Sequence, residues 1–164
     1  MLLDSTLPSN KHFVYLVSLS SILMTWNLLP LLPPFRFSRP NDVGITAYLL
    51  LVSLWFSLSL PPSLLRPLFF ADPAGAVVGK FFTSRFPRLN PAWLGAKTVL
   101  GSLSVAAVTY LTLPFPASAS LRLAVSAAAA VAEAVGGEYD NLALGAAVLA
   151  GWRWSLMGEE DGGG

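Results

Sequence analysis

An all-α, multi-pass membrane bundle of about six short transmembrane spans is the fold class this sequence predicts, and three observations carry the prediction. Of the 164 residues, 54% are hydrophobic and only 12% are charged, against about a quarter charged in an ordinary soluble domain. The apolar residues gather into runs of helical length, three of them closed by proline clusters. No alternating strand pattern and no internal repeat interrupts them. No polar insertion is long enough for a separate soluble domain. Residues 1–157 therefore read as a single polytopic domain and residues 158–164, polar and glycine-rich, as a disordered tail.

The first run, Phe13 to Leu32, is uncharged and about 20 residues long, enough at about 1.5 Å per residue to cross a hydrocarbon core of about 30 Å. Pro30, Pro33 and Pro34 are expected to end it, and Arg36 and Arg39 follow in a polar connection in which Asn41 or Asp42 can cap the next helix. The second run, Ile45 to Leu60, stops at Pro61 and Pro62. The third, Leu64 to Phe82, contains Asp72, Pro73, Gly75 and Gly79, and this combination predicts a helix broken near Asp72. A basic connection carrying Lys80, Arg85, Arg88 and Lys97 leads to a fourth span from Thr98, with a small-residue face of Gly101, Ser102, Ser104, Ala106 and Ala107. The fifth, Leu121 to Val135, is rich in alanine and holds Glu133. A Gly136–Gly137 turn carries Asp140 and Asn141 into the sixth, Leu142 to Met157, whose Trp152-Arg153-Trp154 suits a membrane interface.

Ten Lys and Arg against nine Asp and Glu leave a net charge of +1, so no overall field points to nucleic acid. Cysteine is absent, which excludes disulfides and thiolate chemistry, and a lone His12 excludes a multi-histidine metal site. The N-terminal residues lack the pattern of a secretory signal peptide. If spans alternate in direction, Arg36, Arg39, Lys80, Arg85, Arg88 and Lys97 share one side, while Lys11, Arg66, Arg122 and Arg153 share the other. The positive-inside tendency turns the richer side to the cytosol or stroma. Asp42, Glu133, Glu138 and Asp140 lie at or near that same face.

An acid at membrane depth costs about 2.5–3.5 kcal/mol, which makes Asp72 and Glu133 candidates for a site facing the bundle interior. Carboxylates beside a basic, glycine-containing connection suit Mg²⁺-nucleotide chemistry, the acids holding a hard cation and the lysines neutralising phosphate. The same acids can instead pair with Lys80, Lys97 or Arg66 and simply hold helices together. Trp93, in the connection, reads as a membrane-surface residue or a partner for a nucleotide base.

The order A-D-P-A-G-A-V-V-G-K from Ala71, K-T-V-L-G-S from Lys97, A-E-A around Glu133 and D-N-L from Asp140 resembles the CTP-dependent lipid kinases. That group comprises dolichol, phytol and farnesol kinases and the CTP-using diacylglycerol kinase, and is related to phosphatidate cytidylyltransferases. The resemblance spans roughly residues 69–142. It implies CTP and Mg²⁺ as cofactors, Asp72, Glu133 and Asp140 as catalytic, and Asp72 and Glu133 as metal ligands. Gly79, Lys80, Lys97, Gly101, Ser102 and Asn141 would then bind the nucleotide, and a membrane lipid alcohol of the dolichol or phytol type would be the substrate, in the endoplasmic reticulum or a plastid membrane. Ala71 and Thr83 stand where the family pattern has glycine. Two further readings share these residues: a catalytically reduced, kinase-derived subunit of a larger membrane complex, and a cytidylyltransferase making a CDP-lipid.

Overall fold

A computed structural model describes residues 3–28, 41–95 and 97–161. The prolines at 30, 33 and 34, with Arg36 and Arg39, and the last residues of the expected tail, 162–164, lie outside the described residues. The described chain is all-α apart from one small hairpin. It forms two compact units, residues 1–63 and 64–164.

The first unit is a pair of packed helices, α1 (Pro8–Thr25) and α2 (Val43–Ser57). Helix α1 starts five residues before the uncharged run and ends well before its prolines, because its stop is a backbone motif. Asn27 takes φ 51°, its N–H donates to the Met24 carbonyl, and the Leu28 N–H reaches back to Leu23 at 2.9 Å, a Schellman ending with asparagine in the left-handed position. Helix α2 ends in the same way at Ser59, φ 54°, with the Leu60 N–H donating to the Trp55 carbonyl. At its start the Asp42 carboxylate accepts from the Ile45 N–H at 3.0 Å, which selects Asp42 over Asn41 as the cap. Lys11 Nζ donates to Ser59 Oγ and Ser5 Oγ to the Leu60 carbonyl, tying the start of α1 to the end of α2.

The second unit holds α3 (Arg66–Arg85), α4 (Val99–Thr112), α5 (Ala119–Gly136) and α6 (Asp140–Asp161). Sequential helices pack on one another, and α3 also touches α6. Helix α3 runs unbroken through Pro73, so the break expected near Asp72 does not occur. Proline removes a single donor from the ladder, at a cost of about 3 kcal/mol. Packing outweighs that loss, since Ala71, Gly75 and Gly79 all bury on the same helix. A β-carbon on Gly101 would stand 3.2 Å from the Gly75 carbonyl oxygen and 3.5 Å from the Gly79 Cα, so α3 and α4 meet backbone to backbone. The buried face of α4 is Gly101, Val105 and Thr109 rather than the set of small residues expected, of which Ala107 is exposed.

Between α3 and α4 the basic connection is ordered. A one-turn helix (Pro87–Leu89) precedes an antiparallel hairpin of β1 (Ala92–Leu94) and β2 (Lys97–Thr98), strands too short to leave an alternating pattern in the sequence. At the opposite end Arg122 donates to the carbonyls of Tyr110 (2.7 Å) and Leu113 (3.0 Å), closing the C-terminus of α4. Helix α6 continues through Asp161, into the segment expected as a tail.

Large apolar side chains occur both in the core, among them Trp55, Phe56, Leu64, Leu68 and Leu144, and on the outside. Val77, Leu103, Leu111, Leu123, Val131 and Val135 are exposed, whereas Ala129, Ser126 and the three glycines of the α3–α4 crossing are buried. By length and composition, the helical stretch Ala119–Gly158, which joins α5 to α6 through the turn at Gly137, is apolar enough to cross a membrane, whereas α2 and α4 are shorter apolar helices of 15 and 14 residues.

Candidate functional site

Antiparallel packing in the second unit gathers the end of α3, the start of α4, the end of α5 and the start of α6 at one pole. Asp72 lies two turns before Lys80 on α3, Lys97 is in β2 one residue before the α4 cap, Glu133 is in the last turn of α5, and Asp140 opens α6. Carboxylate oxygens of Asp72, Glu133 and Asp140 all lie within 4.8 Å of one another. Three acids up to 68 residues apart in the chain thus share one point.

Lys97 Nζ is the cation among them. It is hydrogen-bonded and ion-paired to Glu133 Oε1 and reaches Asp140 Oδ2 at 3.0 Å. Helix polarity explains why Glu133 needs it most: an acid in the last turn faces the negative end of the helix dipole, while Asp140 at a helix start faces the positive end. Glu133 is also only 4% exposed. Burial pulls the Lys97 ammonium below its ordinary 10.5, but the hydrogen bonds and charges of Glu133 and Asp140 outweigh burial and hold it above that value. Asp72 makes no hydrogen bond or ion pair among the described residues. Counted formally, three carboxylates and one ammonium give the group a charge of −2, which one divalent cation would balance.

The acids open onto a cavity of about 460 Å³. Its lining includes Asp72, Gly79, Lys80, Thr83, Ser84, Lys97, Thr98, Gly101, Ser102 and Glu133. Of the residues marked out in the sequence, Asp72, Glu133, Gly79, Lys80, Lys97, Gly101 and Ser102 therefore surround one space. Asp140 joins them through Lys97. Asn141 does not line the cavity; its N–H donates to the Asp140 carboxylate at 2.8 Å. Gly79 and Gly101 also lie at the helix crossing, where a β-carbon would meet Thr98 Oγ1 and the facing backbone.

Helix α4 points its N-terminus toward this space, yet its first amides are already taken. Val99 N–H donates to the Pro91 carbonyl, Leu100 N–H to Asn90 Oδ1 and Gly101 N–H to Thr98 Oγ1. Any phosphate here must be neutralised by side chains, of which Lys80 is exposed and unpaired among the described residues.

Asn90 is the residue that sequence reasoning missed. It is 2% exposed, and its amide donates to the Gly79 carbonyl and to Thr83 Oγ1, both at 3.0 Å, while accepting from Leu100 at 2.9 Å. One side chain thereby ties the connection to α3 and α4 together. The Asn90-Pro91 pair reads in sequence only as a turn. Trp93 is placed by its indole N–H, which donates to Ser102 Oγ at 3.0 Å.

No protein-family model, no curated protein and no solved structure matches the chain.

Proposed function

We propose that the chain is a multi-pass membrane enzyme that transfers the γ-phosphoryl group of CTP to the hydroxyl of a long-chain isoprenoid alcohol, or a similar membrane lipid, at the cytosolic or stromal face. The observation that carries the reading is the convergence of Asp72, Glu133 and Asp140 within 4.8 Å beside a lysine-lined cavity, at the motifs through which the sequence resembles CTP-dependent lipid kinases. The many large apolar side chains left exposed support immersion of about six helices in lipid, the shorter ones with local thinning of the bilayer.

The donor set suits Mg²⁺, a hard cation that takes carboxylate oxygens, and Asp72, Glu133 and Asp140 are the residues that would hold it. When bound, the ion neutralises phosphate charge. The remaining work falls to the chain. Lys80 sits where it can contact phosphate oxygens, and Lys97 holds Glu133 and Asp140 in place through its ion pairs. One carboxylate of the cluster takes the proton from the lipid hydroxyl. The hydroxyl oxygen bonds to the γ-phosphorus as the bond to the β–γ bridging oxygen breaks, and CDP leaves.

The test is the purified chain in detergent with labelled CTP, Mg²⁺ and dolichol, phytol or diacylglycerol. Labelled lipid phosphate is expected, with a loss of at least about a hundredfold in Asp72→Asn. A nucleotide-containing lipid would instead identify a cytidylyltransferase, and no product from any of the lipids would sink the enzyme reading. The Lys97 pairs favour one alternative, a kinase-derived structural subunit in which the cluster is a staple between α4 and the α5–α6 turn. Migration as a small monomer after mild solubilisation would count against it.

A further inference from the structure

We infer that the indole of Trp93 is the platform on which the base of a nucleotide stacks while its phosphates occupy the cavity, an inference that rests on reading the cavity as a nucleotide site. The cavity wall consists of carboxylates, lysines, hydroxyls and small residues, with no aromatic ring among its described lining. Such a wall suits phosphates and a cation and offers a base nothing to stack on. The stacking surface has to come from the rim, where Trp93 is attached.

Three features fit Trp93 to that role. Its Nε1–H donates to Ser102 Oγ at 3.0 Å, and Ser102 lines the cavity, so the ring is oriented relative to the phosphate end. The residue remains 46% exposed, which leaves ring surface available although its polar handle is already engaged. An indole anchoring the chain at a membrane surface would keep that N–H for water and headgroups. Its support is also fixed at both ends, by the hydrogen bonds of Asn90 on one side and by Lys97 on Glu133 and Asp140 on the other. A ring already oriented loses little freedom when a base settles on it.

The experiment is calorimetric binding of CTP and, separately, of inorganic tripolyphosphate to the detergent-solubilised full chain in Mg²⁺. Wild type is expected to bind CTP more tightly than tripolyphosphate. Trp93→Leu, which keeps apolar bulk without a π-face, should lose CTP affinity by on the order of tenfold with tripolyphosphate unchanged, and Trp93→Phe should keep most of it. The stacking role is overturned if Trp93→Leu binds CTP as wild type does, if both ligands weaken equally in Trp93→Phe, or if wild type binds the two ligands equally well. That last result leaves the phosphate site standing, whereas binding of neither ligand by wild type removes the nucleotide reading and this inference together.

Discussion

Replacing Asn90 with alanine asks whether the basic connection is built into the site or only joins two helices. The amide makes three hydrogen bonds, but Thr83 is exposed and water can take over its share. The cost rests on the Leu100 N–H, left without a partner beside a side chain that was 2% exposed, and on the bond to the Gly79 carbonyl, which keeps only its place in the α3 ladder. At about 1–3 kcal/mol for the orphaned amide and about 0.5–1.5 kcal/mol for the lost hydrogen bond, Asn90→Ala should destabilise the protein by about 2–4 kcal/mol. Asn90→Asp keeps the acceptor for Leu100 but sets a carboxylate oxygen against the Gly79 carbonyl, so it should recover little of that loss. Unfolding of the full chain in detergent measures both variants, and hydrogen exchange should rise across residues 86–98, the segment the amide pins. An alanine variant within about 0.5 kcal/mol of wild type, or an aspartate variant equal to it, would refute the reasoning.

Other outcomes follow from the same geometry. Gly101→Ala gains about 1 kcal/mol of helix propensity but drives a methyl into the Gly75 carbonyl and Thr98 Oγ1, an overpacking cost of about 1–3 kcal/mol, so it should come out neutral to destabilised. Gly158→Ala, with nothing within 4 Å, should stabilise; equal stability of the two variants would mean that the α3–α4 crossing is looser than described. Lys97→Met removes the partner of buried Glu133. A buried pair broken on one side costs about 3–5 kcal/mol, and the 30% exposure of the lysine side chain reduces this to about 1–3 kcal/mol, part of which millimolar Mg²⁺ should restore in a thermal melt. Because the Lys97 ammonium is held above its ordinary 10.5, its contribution is complete below pH 10.5 and is lost as pH rises through the higher folded value. Wild type should therefore lose stability at the alkaline end relative to Lys97→Met, and parallel unfolding curves for the two from about pH 9 to 12 would contradict the assignment.

Much of the candidate site was legible in the sequence because its chemistry is carried by rare residues. In a chain this apolar, Asp72 and Glu133 stand out by their cost, and Lys80 and Lys97 by bracketing the basic connection. Helix positions were legible for a similar reason, and the Asp42, Thr98 and Ser118 caps follow from short polar side chains at helix starts. Helix ends were not, since both Schellman endings in the first unit depend on left-handed backbone at Asn27 and Ser59, which prolines further along the chain conceal. Pro73 misled in the other direction. Local rules count the donor it removes and omit Gly75 and Gly79, further along the same helix, which let α4 press against it.

The sequence by itself determined an all-α chain, the acids and lysines that can do chemistry, and their order along it, because composition, helix caps and the price of charge in an apolar chain are local properties. Only the tertiary structure decided that Asp72, Glu133 and Asp140 meet within 4.8 Å, that Lys97 lies between two of them, that Gly79 and Gly101 serve packing, that Asn90 ties the connection to α3, and that the Trp93 indole donates to Ser102. The physical reason is distance along the chain. Contacts between residues tens of positions apart arise from how four helices pack, and packing is decided by which small residues let backbones approach, a property of pairs of surfaces rather than of any one segment.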